Sequence, residues 1–175
     1  MILGVMSDTH GNVRLMSAVA DMLRRAFAVE LILHLGDDYR DAELLEMSGH
    51  TVLAVPGLWC PEYHGHRAPK ARVHAADGIV IGLAHAEQDL SLVQAGADLL
   101  LTGHSHAARI VLENGVVRMN PGHLRRVLDR GEKASFGLVN ADGNRLSCSI
   151  YEADGSLRYT RAYERVPGGC FISAQ

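Results

Sequence analysis

Six side chains that bind metal ions well fall at four places in the sequence: Asp8 and His10 in Ser7-Asp8-Thr9-His10, Asp37 after Gly36, His85 alone, and His104 and His106 in Gly103-His104-Ser105-His106. Histidine is the commonest metal ligand among side chains, and ten histidines in 175 residues is a high share, so their positions decide what they mean. In an extended segment residues i and i+2 point to the same side, so Asp8-x-His10 and His104-x-His106 are each expected to present two ligands in one direction. A mixed His and carboxylate set suits Mn, Fe or Zn better than calcium. A carboxylate such as Asp37 could bridge two ions roughly 3.5–4 Å apart.

Each piece has an ordinary reading when taken alone. Asp-x-His can cap a helix or solvate a turn, Gly36-Asp37 is a common strand-to-turn step, and His85 alone reads as a hydrogen-bonded loop histidine. Gly-His-Ser-His is stronger, because two close histidines at the end of a buried strand are costly without partners. The other candidates keep the ordinary reading. His34 lies inside an apolar run and is expected in the core, while His50 and His74 are expected on surface strands. Arg24-Arg25 and Arg125-Arg126 read as solvated faces, and Trp59 and Tyr63 either stack on a substrate or pack their loop.

The elements that must position these side chains follow from the apolar pattern. Ile2 to Met6 reads as a buried strand, and Leu15, Met16, Val19, Met22, Leu23, Ala26 and Phe27 recur at helical spacing behind Asn12, a residue suited to cap that helix. Leu31 to Leu35 and Thr51 to Val55 read as further buried strands, with a short helix over Asp41 to Met47 between them. The β-α-β-α-β alternation implies a parallel sheet with helices packed on it. Pro56 to Lys70 reads as a long polar loop. Asp77-Gly78 and Asn114-Gly115 are hairpin turns between apolar runs. Asp89 to Ala95 is expected to be helical, Asp98 to Thr102 a buried strand, and residues 136–163 a set of three strands. The chain from Val166 is expected to fray, which gives one domain over residues 1–165 and a tail over 166–175. Since Asp8, Asp37, His85 and His104 all follow strand-like runs, they converge where α/β sheets bind ligands, outside the carboxyl ends of strands.

Bulk composition narrows the function. A hydrophobic share of 47% is that of a globular chain rather than a disordered one. A net charge of −3 carries no basic footprint for nucleic acid, so a phosphate-bearing substrate must be attracted locally. Cys60, Cys148 and Cys170 are widely spaced and odd in number, which suits a reducing compartment rather than a disulfide framework. The opening apolar run is too short for a signal-peptide core and no run spans a membrane, so a cytoplasmic location is expected.

The ordered set Asp8-x-His10, Gly36-Asp37, His85, Gly103-His104-x-His106 and Asn120-Pro121-Gly122 resembles the calcineurin-like metallophosphoesterases, and most of all their compact bacterial and archaeal phosphodiesterase branch. The resemblance runs from residue 1 to about 160. It implies an α/β fold, a four-layer α/β/β/α sandwich of two mixed sheets. It implies two divalent ions, Mn first, with Fe, Zn, Ni or Mg as alternatives. One would be held by Asp8, His10, Asp37 and His106, the other by Asp37, His85, His104 and an Asn from a Gly-Asn motif. That motif falls at Gly57-Leu58, and Leu58 cannot ligate a metal; Trp59 follows where relatives often carry His or Cys. Cys60, Glu62, His64 and His66 of the adjacent loop are the candidate replacements, with water as another.

The function implied is hydrolysis of a small phosphate ester, a phosphodiester before a monoester, by attack of metal-activated water on phosphorus. His10 and Asp37 are the catalytic candidates. The alternative is a catalytically impaired scaffold on the same fold, as in the family's retromer subunit, motivated by Leu58 and Trp59. A metal-storage role for the histidine-rich loop is a weaker third reading. No nucleic-acid or membrane partner is expected. Relatives of this size often form homodimers, which is the expectation for assembly.

Overall fold

The computed structural model describes residues 1–174. The first half of the chain builds parallel pairing: β1 (Ile2–Met6), α1 (Val13–Ala26), β2 (Leu31–His34), α2 (Tyr39–Met47) and β3 (Val52–Ala54), with β1 parallel to β2 and β2 parallel to β3. Asn12 Oδ1 accepts from the Leu15 N–H at 3.3 Å, as its type and place before the apolar pattern imply. The strands are short apolar runs because they are buried on both faces. In β1 the side chains of Leu3 and Val5 enter the central core, while Met6 faces the helices. On that helix-facing side a Cβ at Gly4 would come within 2.6 Å of Leu23 Cδ1, so glycine lets α1 close onto the strand.

After the short α3 (Pro61–His64) comes a second sheet of β4 (Ala71–Ala76), β5 (Ile79–Ala84), β6 (Leu99–Leu101), β7 (Arg109–Glu113) and β8 (Val116–Asn120). Its order is β4-β5-β6-β8-β7, parallel at β5–β6–β8 and antiparallel at its two edges. Both edge hairpins turn on the expected residues. Asp77-Gly78 has φ of 45° and 79°, and Asn114-Gly115 has 52° and 77°, the doubly left-handed pattern of a tight hairpin. The chain continues through β9 (Leu128–Asp129) and β10 (Glu132–Lys133), a two-stranded ribbon, to β11 (Ser135–Asp142), β12 (Arg145–Glu152), β13 (Leu157–Arg165) and β14 (Phe171–Ser173). These last four return to the first sheet, whose order is β14-β13-β12-β11-β1-β2-β3.

The result is the expected sandwich of two mixed sheets. The sheets bury Leu3, Val5 and Leu33 against Ile81, Leu83, Leu101 and Met119. Helices α1 and α2 cover the outer face of the first sheet through Met16, Val19, Leu23 and Leu45. The outer face of the second sheet is covered more thinly, by Leu90, Val93 and Ala97 on Ala84 and Leu100. Among the described residues, no helix is long and apolar enough to cross a membrane.

Three local expectations are corrected. The stretch over Asp89 to Ala95 is not an α-helix; a 3-10 helix spans Glu87–Leu92 instead. The 56–70 loop contains α3, which starts at Pro61, where a missing N–H is no loss. The segment after Val166 does not fray over the described residues: β14 pairs antiparallel with β13, Phe171 is buried, and its N–H donates to the Gly115 carbonyl. Gln175 lies outside the described residues.

Candidate metal centre

The ends of β1, β2, β5 and β6 converge as expected. Asp8, Asp37, His85 and His106 are buried. Two sets of ligand atoms lie within 4.8 Å of one another, Asp8 with His10 and His106, and Asp8 with Asp37 and His85. Asp37 spans the two sets, with Oδ2 3.7 Å from His10 Nε2 and Oδ1 3.4 Å from His85 Nε2. His106 Nε2 lies 3.3 Å from both Asp8 Oδ1 and His10 Nε2.

Hydrogen bonds on the far side of two rings fix what faces the centre. A carbonyl only accepts, so His85 Nδ1–H donates to the Leu35 carbonyl at 2.6 Å, and a neutral His85 presents the Nε2 lone pair inward. His106 Nδ1 lies 2.6 Å from Asp129 Oδ2 and is oriented in the same way. Lone pairs therefore point at carboxylate oxygens. Asp8 Oδ1, Asp37 Oδ1 and His85 Nε2 are buried with no hydrogen-bond partner. Buried acceptors facing one another are costly unless a cation lies between them. This donor set fits a divalent ion of the Mn, Fe or Zn type.

The charges are tuned around the same centre. Burial alone would raise the pKa of Asp8, but the contact with the His106 imidazole and the charge that His85 carries when protonated hold it below the ordinary carboxylate value. The same contact to Asp8, against the opposing effect of burial, raises His106. Burial lowers His10. Burial also opposes the charge on Asp129, yet His106 and Arg126 bring it down to about 2.

The ligand pairs are not extended. Asp8 and His10 have φ of 53° and 48°, and His104 and His106 both have 65°, so each pair curls through the left-handed region. Asp8 and His10 still meet, but His104 and His106 part company. The His104 side chain is exposed, belongs to neither ligand set, and stands with its ring centroid 5.2 Å from that of His85. Its backbone N–H instead donates to Asp8 Oδ2 at 2.9 Å. The loop is held by Asn120, whose Nδ2 donates to the Gly103 carbonyl at 2.7 Å and to Ser105 Oγ at 3.1 Å.

The replacement ligands proposed from the loop do not enter either set. Cys60 is buried at the start of α3, where burial raises its thiol pKa. His64 Nε2 bonds to the Leu58 carbonyl at 3.0 Å, and His66 is exposed. Glu62 lines a cleft beside the centre without reaching it. Leu58 is half-buried, while Gly57 has a clear role: a Cβ there would fall 1.6 Å from Asp37 Oδ1. His34 is a core residue, with Thr9 Oγ1 3.2 Å from Nε2 and the Gly36 N–H donating to Nδ1 at 3.3 Å; burial lowers its pKa to about 4.

Asp129 is the functional residue that sequence reasoning missed. It lies 23 residues from His106, and nothing in a single sequence links the two. Arg125 and Arg126, expected to be solvated, pair with Asp129 Oδ1 at 3.7 and 2.6 Å, and Arg130 approaches Oδ2 at 3.9 Å.

A cleft of about 390 Å³ adjoins the centre, lined by its His10 and Asp37 together with Tyr39, Arg40, Trp59 and Glu62. Another of the same volume, at Leu15, Val127, Lys133 and Asp154, contains none of the clustered side chains. The chemistry therefore belongs to the former.

Residues 1–144 match the model of the calcineurin-like phosphoesterase superfamily domain. A probable metallophosphoesterase of Methanothermobacter thermautotrophicus is 30% identical over 160 residues, covering 86% of this chain and 91% of that protein. Among solved structures, Vacuolar Protein Sorting 29 from Cryptosporidium parvum superposes with a TM-score of 0.71 at 24% identity, covering 94% of this chain and 98% of that one. YfcE, a phosphoesterase from E. coli, superposes with a TM-score of 0.70 at 19% identity, covering 91% and 98%.

Proposed function

The chain belongs to the calcineurin-like phosphoesterase superfamily, and from that premise we propose that it is a divalent-metal-dependent phosphodiesterase. The observation that carries the reading is the group of buried, unpartnered acceptors, Asp8 Oδ1, Asp37 Oδ1 and His85 Nε2, on three residues whose ligand atoms lie within 4.8 Å of one another at the strand ends. Asp8, His10 and His106 would hold one ion, and Asp37 and His85, with Asp8 beside them, the other. Such ions, when bound, acidify water and neutralise charge on a phosphoryl group. The chain supplies the rest. Asp37 places one oxygen toward His10 and the other toward His85, so that a single carboxylate fixes both halves of the centre. His10 lines the cleft, and burial favours its neutral, lone-pair-bearing form. His104, exposed beside His85, would donate to a phosphoryl oxygen.

The preference for diesters rests on charge. Asp38 and Glu62 line the cleft, and burial together with Asp41 raises the Asp38 pKa, the mark of a crowded acidic rim. A monoanionic diester meets less repulsion there than a dianionic monoester. With Trp59 at the position where relatives often carry a proton-donating side chain, substrates with good leaving groups are favoured.

The test combines elemental analysis of the purified protein with hydrolysis of bis(p-nitrophenyl) phosphate and p-nitrophenyl phosphate in added Mn²⁺. Two metals per chain and turnover of the diester above a His106→Asn control are expected. Full metal loading with no turnover of either ester would instead favour the second reading, a non-catalytic interaction module, for which Leu58 and the 83% exposed Trp59 argue.

A further inference from the structure

We propose that Trp59 and Tyr39 form a base-stacking subsite beside the metal centre, which makes nucleotide-derived phosphodiesters the substrate class; this rests on the phosphodiesterase reading above. The cleft shares His10 and Asp37 with the centre, so a group esterified to a phosphate held there extends directly along it. Its volume of about 390 Å³ suits a single small organic group. The occupant must match an aromatic wall, a cation and an acidic rim at once. Trp59 offers a large apolar face to solvent, 83% exposed, where burial would be the ordinary fate of tryptophan.

The loop itself shows that Trp59 is not there for packing. The neighbouring Tyr63 does that work: it is buried, its hydroxyl donates to Asp89 Oδ2 at 2.9 Å, and Lys70 Nζ lies 4.1 Å from its ring centroid. Trp59 is instead displayed on a fixed turn, closed by the Cys60 N–H donating to the Gly57 carbonyl at 3.0 Å and followed at once by α3. The backbone that carries the ring is already held, so binding orders only its two side-chain torsions. Every nucleobase has a π face for such a ring. The base is uncharged, so Asp38 and Glu62 do not oppose it as they would a second phosphate, and carboxylates accept from the exocyclic amines of bases. Arg40, exposed on the same wall, is available to the phosphate or to the second face of the base.

Because Trp59 is the sole tryptophan, its fluorescence reports on this subsite without any need for turnover. The experiment titrates Mn²⁺-loaded protein with AMP, ribose 5-phosphate and inorganic phosphate, following both fluorescence and heat. AMP is expected to quench Trp59 and to bind about 5- to 150-fold more tightly than ribose 5-phosphate, the range set by one base–aromatic stack. In Trp59→Ala the AMP affinity should fall to that of ribose 5-phosphate, whose own affinity stays unchanged; Trp59→Phe should restore most of it. If AMP and ribose 5-phosphate bind equally without quenching, while inorganic phosphate still binds, the subsite is refuted and the phosphodiesterase reading stands. If none of the three binds metal-loaded protein, that reading falls and the subsite with it.

Discussion

Replacing Asp129 separates a residue that holds a ligand in place from one that merely holds a loop. The Asp129 carboxylate lies 2.6 Å from His106 Nδ1 and is 2% exposed, so no solvent stands ready to substitute for it. Carboxylates placed behind metal-bound histidines fix the tautomer and raise ligand basicity, and their loss lowers metal affinity about 10- to 100-fold. Asp129→Asn keeps an acceptor but removes the charge, so a loss near the lower end is expected; Asp129→Ala removes both and should lie near the upper end. Competition for Mn²⁺ against a chelating dye measures this directly. The pH dependence adds a sign. The carboxylates of Asp8 and Asp129, which protonated His106 would meet on both ring nitrogens, raise it above its ordinary value, so in the wild type a proton competes with the metal at low pH. Without Asp129 that competition weakens, and the gap between variant and wild type should be narrower at pH 6 than at pH 8. Folded variants that bind Mn²⁺ within about twofold of wild type at both pH values would refute the reasoning and leave Asp129 as an anchor for its arginines.

Other perturbations probe other links. Leu58→Asn places an amide oxygen beside Asp37 and His85 and should tighten Mn²⁺ binding at that half of the centre; an unchanged affinity in competition with a chelating dye would show that the loop geometry, not the side chain, is limiting. His34, with its pKa lowered to about 4 by burial, folds in its neutral form, so its contribution is complete above the unfolded value near 6.5 and is lost as pH falls toward 4. The loss amounts to at most ~3 kcal/mol, and urea midpoints at pH 7 and pH 4.5 should converge in His34→Gln relative to wild type. Phe171→Ala should cost about 3–5 kcal/mol of stability, because the ring is 1% exposed and Arg165 lies over it at 4.7 Å. Metal affinity should be unaffected, and a urea midpoint that did not move would return the 166–174 segment to the status of a loose tail.

The candidate site residues at the strand ends are legible because of how buried strands read. A strand buried on both faces reads as a short apolar run, and the polar residue that ends it is exposed to notice: Met6 to Asp8, Leu35 to Asp37, Ala84 to His85, Leu101 to His104. What a one-dimensional pattern does not carry is dihedral angle and distant partnership. His104 and His106 share a motif but diverge in space, because both adopt φ of 65° and the extended rule for i and i+2 does not apply to them. Asp129 sits in a two-residue strand too short for any periodicity. Pro167-Gly168-Gly169 reads as the start of a loose end, yet Phe171 finds its burial against the Gly115 turn of the other sheet, a surface that belongs to a different part of the chain. The six-residue element at Glu87 shows the same limit, since α and 3-10 turns differ little in their side-chain spacing over so few residues.

The left-handed backbone at Asp8, His10, Asp38, His104 and His106 has a bearing on what can ever occupy these positions. Aspartate, asparagine and histidine are the residue types, after glycine, that tolerate this conformation best, and they are also the types that bind metals. Chemistry and conformation thus filter the same small alphabet twice. A β-branched or bulky apolar substitute would strain the turn even where its missing ligand atom was tolerated, so these loops have few neighbouring sequences that are neutral in both respects. An alanine at position 10 or 106 consequently confounds two losses, whereas asparagine is the substitution that keeps the turn while changing the candidate ligand.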